Sequence, residues 1–467
     1  MDYPTIRTSL KFRMTGPSKY AAVANGIQVG ETINADGTKT TEYSLKHPCP
    51  SYLICFGIGD FTVVDDGEVD GIPIKYLGPK SMPGDHLHRA FDKTPSMIRW
   101  LSNKLGMKFP WPKYYQISAP EIGGAMENIS LVTWSDLWTM DEKYASERKL
   151  MVDSVNIHEM AHTYFGDVVV IRFFEHAWLK ESWATYIESV WMEENVGLNE
   201  FQYEMLENAD SYIAETSKYM RPIVSRTYDS SWMMFDMHTY PGGCWRLHML
   251  RKLLGDDVFW TGVRNYIQEN AYKTVETNTF KEALERASGI NLNRFFDQWI
   301  YGKGFPKLKG TYEYIKEKNL VVVTLEQTQV DKKMDIPSFD FDIEIEVTDI
   351  KGEQYSAVAH FDETKKTFVA IPIQSVKPKM IRIDPNQKIL FTLDMNPGED
   401  VLEEGLKSGD ISTKVWCYRE LAKIGTSTAY KKIQEALIKE PFWGVRVKGM
   451  VAPAFFFQFL SRLLFFA

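Results

Sequence analysis

Cysteine is scarce in this chain: Cys49, Cys55, Cys244 and Cys417 are the only four in 467 residues. They are scattered and form no C-x-x-C pair, which argues against a disulfide framework and for isolated, mostly buried thiols. Positive charge is also in deficit, with 54 lysines and arginines against 62 aspartates and glutamates, a net charge of −8. Nucleic-acid binders rely on a basic face, so that balance argues against nucleic acid as a partner. The opening residues, MDYPTIRTSLKFRM, lack the apolar core of a signal peptide. The chain closes on MVAPAFFFQFLSRLLFFA, a dense apolar run interrupted by Pro453, Gln458 and Arg462. It falls short of the roughly 20 apolar residues of a membrane span. A buried helix cut off from its packing partners is the expectation for it, with a tail anchor as the alternative, and the cytoplasm is the default location. No internal repeat and no low-complexity tract stands out.

What is present suits packed interiors. Hydrophobic residues make up 44% and aromatics 13%, enough for a globular protein of about three domains by length. Residues 1 to about 80 read as strands, in short apolar or alternating runs such as SLKFRM and SYLICFGIGDFTVV. From FDKTPSMIRWLSNKLG to about residue 300 helical spacing dominates, and several of these segments end on a glycine suited to a helix C-terminus. YGKGFPKLKG then leads into a β segment with NLVVVTLEQ and FDIEIEVTD, and helix returns after Pro397. The fold class expected is multidomain α+β.

The stretch NIHEMAHTYFG, residues 156–166, carries an H-E-x-x-H pattern. On a helix, positions four apart share a face, so His158 and His162 can direct two imidazoles at one zinc ion. Glu159 sits about 100° around, placed to accept a proton from water at the metal's open position. Zinc needs a third protein ligand. Glu181, eighteen intervening residues beyond His162 in the helical segment WLKESWATYIE, is the candidate. The alternative is that the histidines are surface or core residues and Glu181 a solvated helix charge. His176 is a rival ligand in a loop where capping or surface exposure is expected, and His86 and His88 read as surface. Glu188, seven residues past Glu181 on the same helix face, is either a carboxylate orienting a metal-bound histidine or an ordinary solvated glutamate.

Upstream lies EIGGAMENISLVTW. Gly123 and Gly124 permit close backbone approach, and the apolar run after them suits an edge strand along which an extended peptide can pair. Glu127 would then meet the substrate's end, where a carboxylate suits a protonated α-amine. Read alone, the same residues are a turn followed by a strand.

GAMEN at 124–128 resembles the signature of the aminopeptidase N family of gluzincin metallopeptidases, which also includes leukotriene hydrolase. HEMAHTYFGDVVV and WLKESWATYIE resemble that family's two zinc segments at the family spacing. YPGGCWRLHML resembles the segment holding its catalytic tyrosine, and YGKGFPKL its exit from the catalytic domain. The resemblance runs from about residue 10 to about 445, and its motifs together in this order are highly specific. It implies one zinc ion per chain, held by His158, His162 and Glu181, with Glu159 as general base and Tyr240 as donor to the tetrahedral intermediate. It also implies that Glu127 anchors a free α-amine while Gly124, Ala125, Met126 and Asn128 line the substrate. The implied substrates are peptides with free N-termini. Ser182 stands where the family usually has glycine, and Gly242 where lysine is common.

The implied domains are a partial N-terminal β domain (1–80), a thermolysin-like zinc domain (81–306), a β-sandwich (307–396) and the start of a helical solenoid (397–467). Compared with the family the chain is expected to be a fragment, short at both ends. A thermolysin-type endopeptidase and a non-catalytic peptide-binding fragment are the competing readings. GAMEN argues against the first, since an endopeptidase needs no amine anchor, and the full catalytic set argues against the second. Leukotriene-hydrolase-like epoxide chemistry is compatible with the same motifs.

Overall fold

A computed structural model of the chain describes residues 3–374 and 377–452. The apolar ending, from residue 453 on, lies outside the described residues. Among the described residues no helix is long and apolar enough to cross a membrane, and all four cysteines are free thiols, three of them buried. The fold is mixed α+β and multidomain. Backbone contacts separate two compact units, one built on the described residues through Trp191 together with Val224–Arg294. The other is built on Met192–Ile223 together with the described residues from Phe295 onward. These two units cut differently from the four-part division expected at residues 80, 306 and 396: Met192–Ile223 and the residues from Phe295 on, which fall partly inside the expected 81–306 domain, belong to the second unit.

The first unit begins with strands, as the alternating runs predict. A three-stranded antiparallel sheet orders Arg7–Pro17, Thr38–Pro50 and Ile27–Ile33, and a separate pair joins Ala21–Ala24 to Phe56–Gly59. The turn between them needs glycine at Gly26. Its φ is +79°, and a Cβ there would lie 2.1 Å from the Ser44 carbonyl oxygen.

A five-stranded sheet follows, in the order Phe61–Val69, Ile72–Pro79, Tyr114–Ala119, Leu131–Ser135, Ala125–Met126. Its three middle strands are parallel. The chain crosses between the first two of them through the helices Gly84–Phe91 and Thr94–Leu105, as parallel pairing requires. Here the structure corrects one expectation. The apolar run after GAMEN is an interior strand, Leu131–Ser135, flanked on both sides, and the edge is Ala125–Met126 itself. The physical reason is burial: Leu131, Val132, Trp134 and Ser135 are all buried, and such a run belongs inside a parallel sheet rather than at its margin.

The helical part of this unit positions the site. The helix Glu142–Ala161 starts where the Asp141 side chain accepts from the Tyr144 N–H at 2.7 Å, and Glu142 in its first turn complements the helix dipole. A second helix, Trp178–Asn195, carries Trp183 into an aromatic cluster in which it stacks on Phe165, rings 4.5 Å apart and 2° from parallel. Trp183 also meets Phe280 edge-on at 5.6 Å. A π-helical turn, His238–Gly242, leads into the helix Gly243–Leu254.

The second unit carries a four-stranded sheet ordered Lys366–Pro372, Leu320–Gln327, Lys307–Ile315, Thr392–Asp394, and a three-stranded one ordered Gln354–Phe361, Phe341–Asp349, Pro378–Ile383. Leu320–Gln327 alternates buried and half-buried residues along its length, the period-2 pattern read from LVVVTLEQ. The helices Glu399–Gly405, Ile411–Ile424 and Ser427–Lys439 follow, with Leu402, Val415, Tyr418, Leu421 and Ile433 in their shared core.

One contact in the first unit ties two segments together. The Ser182 hydroxyl donates to the Thr239 carbonyl at 2.6 Å, and a Cβ on residue 243 would fall 1.8 Å from that same hydroxyl. Serine at 182 therefore demands glycine at 243. Gly243→Ala is expected to cost about 1–3 kcal/mol by overpacking, read as a lower urea midpoint by tryptophan fluorescence. Adding Ser182→Gly should recover part of that loss, and an unchanged midpoint in the single variant would refute the contact.

Candidate metal centre

The helix Glu142–Ala161 delivers His158 from its last turn and His162 from its C-cap. Each imidazole is fixed by its Nδ1. That of His162 donates to the Phe165 carbonyl at 2.9 Å, and that of His158 donates to Glu188 Oε1 at 2.6 Å. Glu188 is itself held by the Ser154 hydroxyl at 2.5 Å. With Nδ1 carrying the proton, both Nε2 atoms are left facing one oxygen, Glu181 Oε2, at 3.5 Å from His158 and 3.2 Å from His162. One ligand atom from each of His158, His162 and Glu181 lies within 4.8 Å of the others. These are three electron-pair donors converging on one point, a group suited to a metal ion.

Glu181 and Glu188 reach the same place because seven residues make nearly two helical turns. Glu188 is bonded to His158 and mostly buried, so it is not the ordinary solvated glutamate of the alternative reading. His176 is elsewhere: it is buried, with Nδ1 2.9 Å from the Thr277 hydroxyl. His86 is half-buried and His88 exposed.

Two further carboxylates complete the site. Glu159 is buried, and its Oε2 has no hydrogen-bond partner. Burial pushes its carboxyl up to about 7, with His158 and His162 pulling the other way. Glu127 is buried as well, yet its carboxyl stays below the usual range. Burial would raise it, but Lys180 and His162 overcome that. The Lys180 ammonium donates to Glu127 Oε1 at 2.7 Å and also to Glu181 Oε1. Those two carboxylates hold Lys180 well above its ordinary value despite burial.

The sequence reading passed over Lys180. Neighbours on a helix point about 100° apart, so periodicity offers no signal that residues 180 and 181 share a site. Asp167 was missed for the same kind of reason. It is a buried carboxylate whose acidity is strongly suppressed by burial and then by Glu127.

The remaining candidates surround this cluster. Tyr240, from the π-helical turn, lies nearly parallel to the His158 ring, 6.1 Å away and 14° tilted. Burial and then Glu181 raise its phenol far above the ordinary value, so it remains a proton donor. Gly124 has φ +81° and open space where a Cβ would point. Its carbonyl accepts from the Ser135 N–H at 2.8 Å. Ala125 and Met126 form the sheet edge. Asn128 is buried, with Oδ1 accepting from the Thr133 hydroxyl at 2.8 Å. A second group within ligand range, Asp340, His360 and Asp362, lies in the other unit and is mostly exposed.

Residues 89–299, which contain every residue of this cluster, match the peptidase family M1 domain. Similar curated proteins include aminopeptidase 2 of Candida albicans, 28% identical over 66% of this chain and 34% of its own length. Glutamyl aminopeptidase of Bos taurus is 27% identical over 66% of this chain and 33% of its own length. Aminopeptidase M1 of Arabidopsis thaliana is 28% identical over 65% and 35%. The chain thus spans about a third of the length of the curated relatives it matches. The fold is similar to that of Legionella pneumophila aminopeptidase A, solved in complex with aspartic acid, with a TM-score of 0.81 at 16% identity, covering 94% of this chain and 52% of that one. Residues 89–299 thus resemble a peptidase family M1 domain, and the similar curated proteins named above are aminopeptidases.

Proposed function

We propose that this site binds one zinc ion and hydrolyses the amino-terminal bond of peptides. The observation that carries the proposal is the donor set: two outward-fixed imidazoles and one carboxylate oxygen, with an unpartnered carboxylate oxygen of Glu159 beside them. Two ligands about 2.05 Å from a tetrahedral ion stand roughly 3.3 Å apart, and the two nitrogen–oxygen separations here are 3.2 and 3.5 Å. Zinc bound there would polarise the scissile carbonyl and acidify water.

The chain's own groups do the rest. Glu159, buried and without a partner on Oε2, takes the proton from water and returns it to the leaving amine. Its raised affinity for a proton suits that exchange near neutral pH. Tyr240 keeps its phenolic proton and serves as donor to the oxyanion, a contribution of about 10²–10³ in rate for comparable donors. The open edge Ala125–Met126 offers backbone groups to an extended peptide. Glu127 follows directly, where its carboxylate meets the α-ammonium and restricts cleavage to the first bond. In this reading the domain is of the thermolysin-like gluzincin type, and peptides with free N-termini are its substrates.

Three variants test the assignment. Glu188→Ala should retain the fold but weaken zinc binding about 10–100-fold, measured by chelator competition. An unchanged zinc affinity would show that the His158–Glu188 bond does not orient a ligand. Glu159→Gln should keep its zinc and lose peptide turnover by about 10²-fold or more; robust turnover in that variant removes Glu159 from the chemistry. Glu127→Ala should raise KM for peptides with a free amine, and the test is to compare free and N-acetylated forms of one peptide. If the variant distinguishes them as the parent does, the anchor is not Glu127.

A further inference from the structure

Lys180 has no part in the chemistry just described, yet it occupies the centre of the charge cluster. Its ammonium is buried, 2.7 Å from Glu127 Oε1 and bonded also to Glu181 Oε1. The rings of Tyr52 and Phe235 lie 5.8 and 5.5 Å from it. It is therefore held away from water by two aromatic faces and two carboxylates. A substrate's α-ammonium requires the same Glu127 carboxylate, and it would arrive beside a fixed positive charge.

We propose that Lys180 is a positioning residue that occupies Glu127 as an internal counter-cation, so that a free amino terminus binds only by competing with it. This rests on the reading of Glu127 as the amine anchor. Each charge-assisted bond to a carboxylate has the same chemistry whether the ammonium is a lysine's or a substrate's. The resident one has the advantage of being tethered and already desolvated. The incoming amine must take the Oε2 face of Glu127 against like-charge repulsion, or displace Lys180 toward Glu181. Lys180 thus sets how strongly the site prefers free over blocked N-termini, and it does so without touching the scissile bond.

The test uses the full, zinc-loaded chain and calorimetry with two probes, an α-amino hydroxamate and its N-acetylated form. Lys180→Met should tighten the amino probe by about tenfold or more and change the acetylated probe by less than about threefold. In a Glu127→Gln background, Lys180→Met should leave the ratio of the two affinities unchanged. Equal effects on both probes, or a gain that persists without Glu127, would overturn the proposal. If Glu127→Gln alone leaves the parent's ratio intact, the anchor reading fails first, and this inference falls with it.

Removing Lys180 leaves two buried carboxylates without their partner, which destabilises a fold. A second measurement therefore uses the unaltered chain labelled with 15N-lysine. The Lys180 ammonium signal, identified by its loss in Lys180→Arg, should shift with the amino probe and not with the acetylated one. A signal that stays in place at saturating amino probe rejects the competition.

Discussion

The site depends on one carboxylate, that of Glu181, whose two oxygens serve different positive partners. Oε2 faces both histidine Nε2 atoms, while Oε1 accepts from Lys180. A buried carboxylate costs several kcal/mol unless its charge is met. Glu181 meets it from two sides and from its place in the first turn of a helix, where the dipole favours an anion. Glu127, Glu159 and Asp167 crowd the same region, and Lys180 with the two imidazoles offsets them unequally. The consequences appear in their acidities: Glu127 remains anionic beside Lys180, while Glu159 and Asp167 are driven toward the neutral form. A divalent ion among His158, His162 and Glu181 would relieve the surplus of negative charge.

The packing beneath this cluster keeps those charges in register. One helix, Trp178–Asn195, supplies four consecutive functions: Lys180 to the carboxylates, Glu181 to the ligand set, Ser182 to the Thr239 carbonyl and Trp183 to the aromatic core. Because four neighbours sweep about 300° around the axis, every side of that turn is engaged. It cannot rotate without breaking a contact. The Ser182–Gly243 approach carries this constraint to the turn bearing Tyr240, and the Glu188–His158 bond carries it back to the first helix. The departure at position 182 noted from the sequence is thus accommodated by a missing side chain across the interface.

Similarity to known proteins and site geometry speak to different questions. The domain match over residues 89–299 and the similar aminopeptidases make peptide hydrolysis the proper hypothesis. The geometry asks how this chain would perform it. Lys180 sits where the hypothesis places a substrate group, so the degree of preference for free amines becomes a property to be measured on this chain rather than inherited from its relatives.

Much of the fold was legible because it is written in local patterns. The alternation in LVVVTLEQ, the spacing in FDKTPSMIRWLSNKLG and the turn glycines each carry their period within a few residues. The two histidines four apart were legible for the same reason, since one helix face is a local property. Glu181 and Glu127 were candidates from spacing and local pattern before the family resemblance added to them, while Tyr240 was reached by resemblance alone. The edge strand was misplaced by one segment, because an apolar run does not say which neighbours will cover its two faces.

What the sequence by itself determined is therefore the kind of chemistry, a histidine pair with an adjacent glutamate on a helix. The tertiary structure decided which charges meet. The Lys180 bridge, the burial of Asp167, the fixing of His158 by Glu188 and the fit of Ser182 against Gly243 all join residues through space. No periodicity records them, because a charge is felt across a few ångströms and not along a chain.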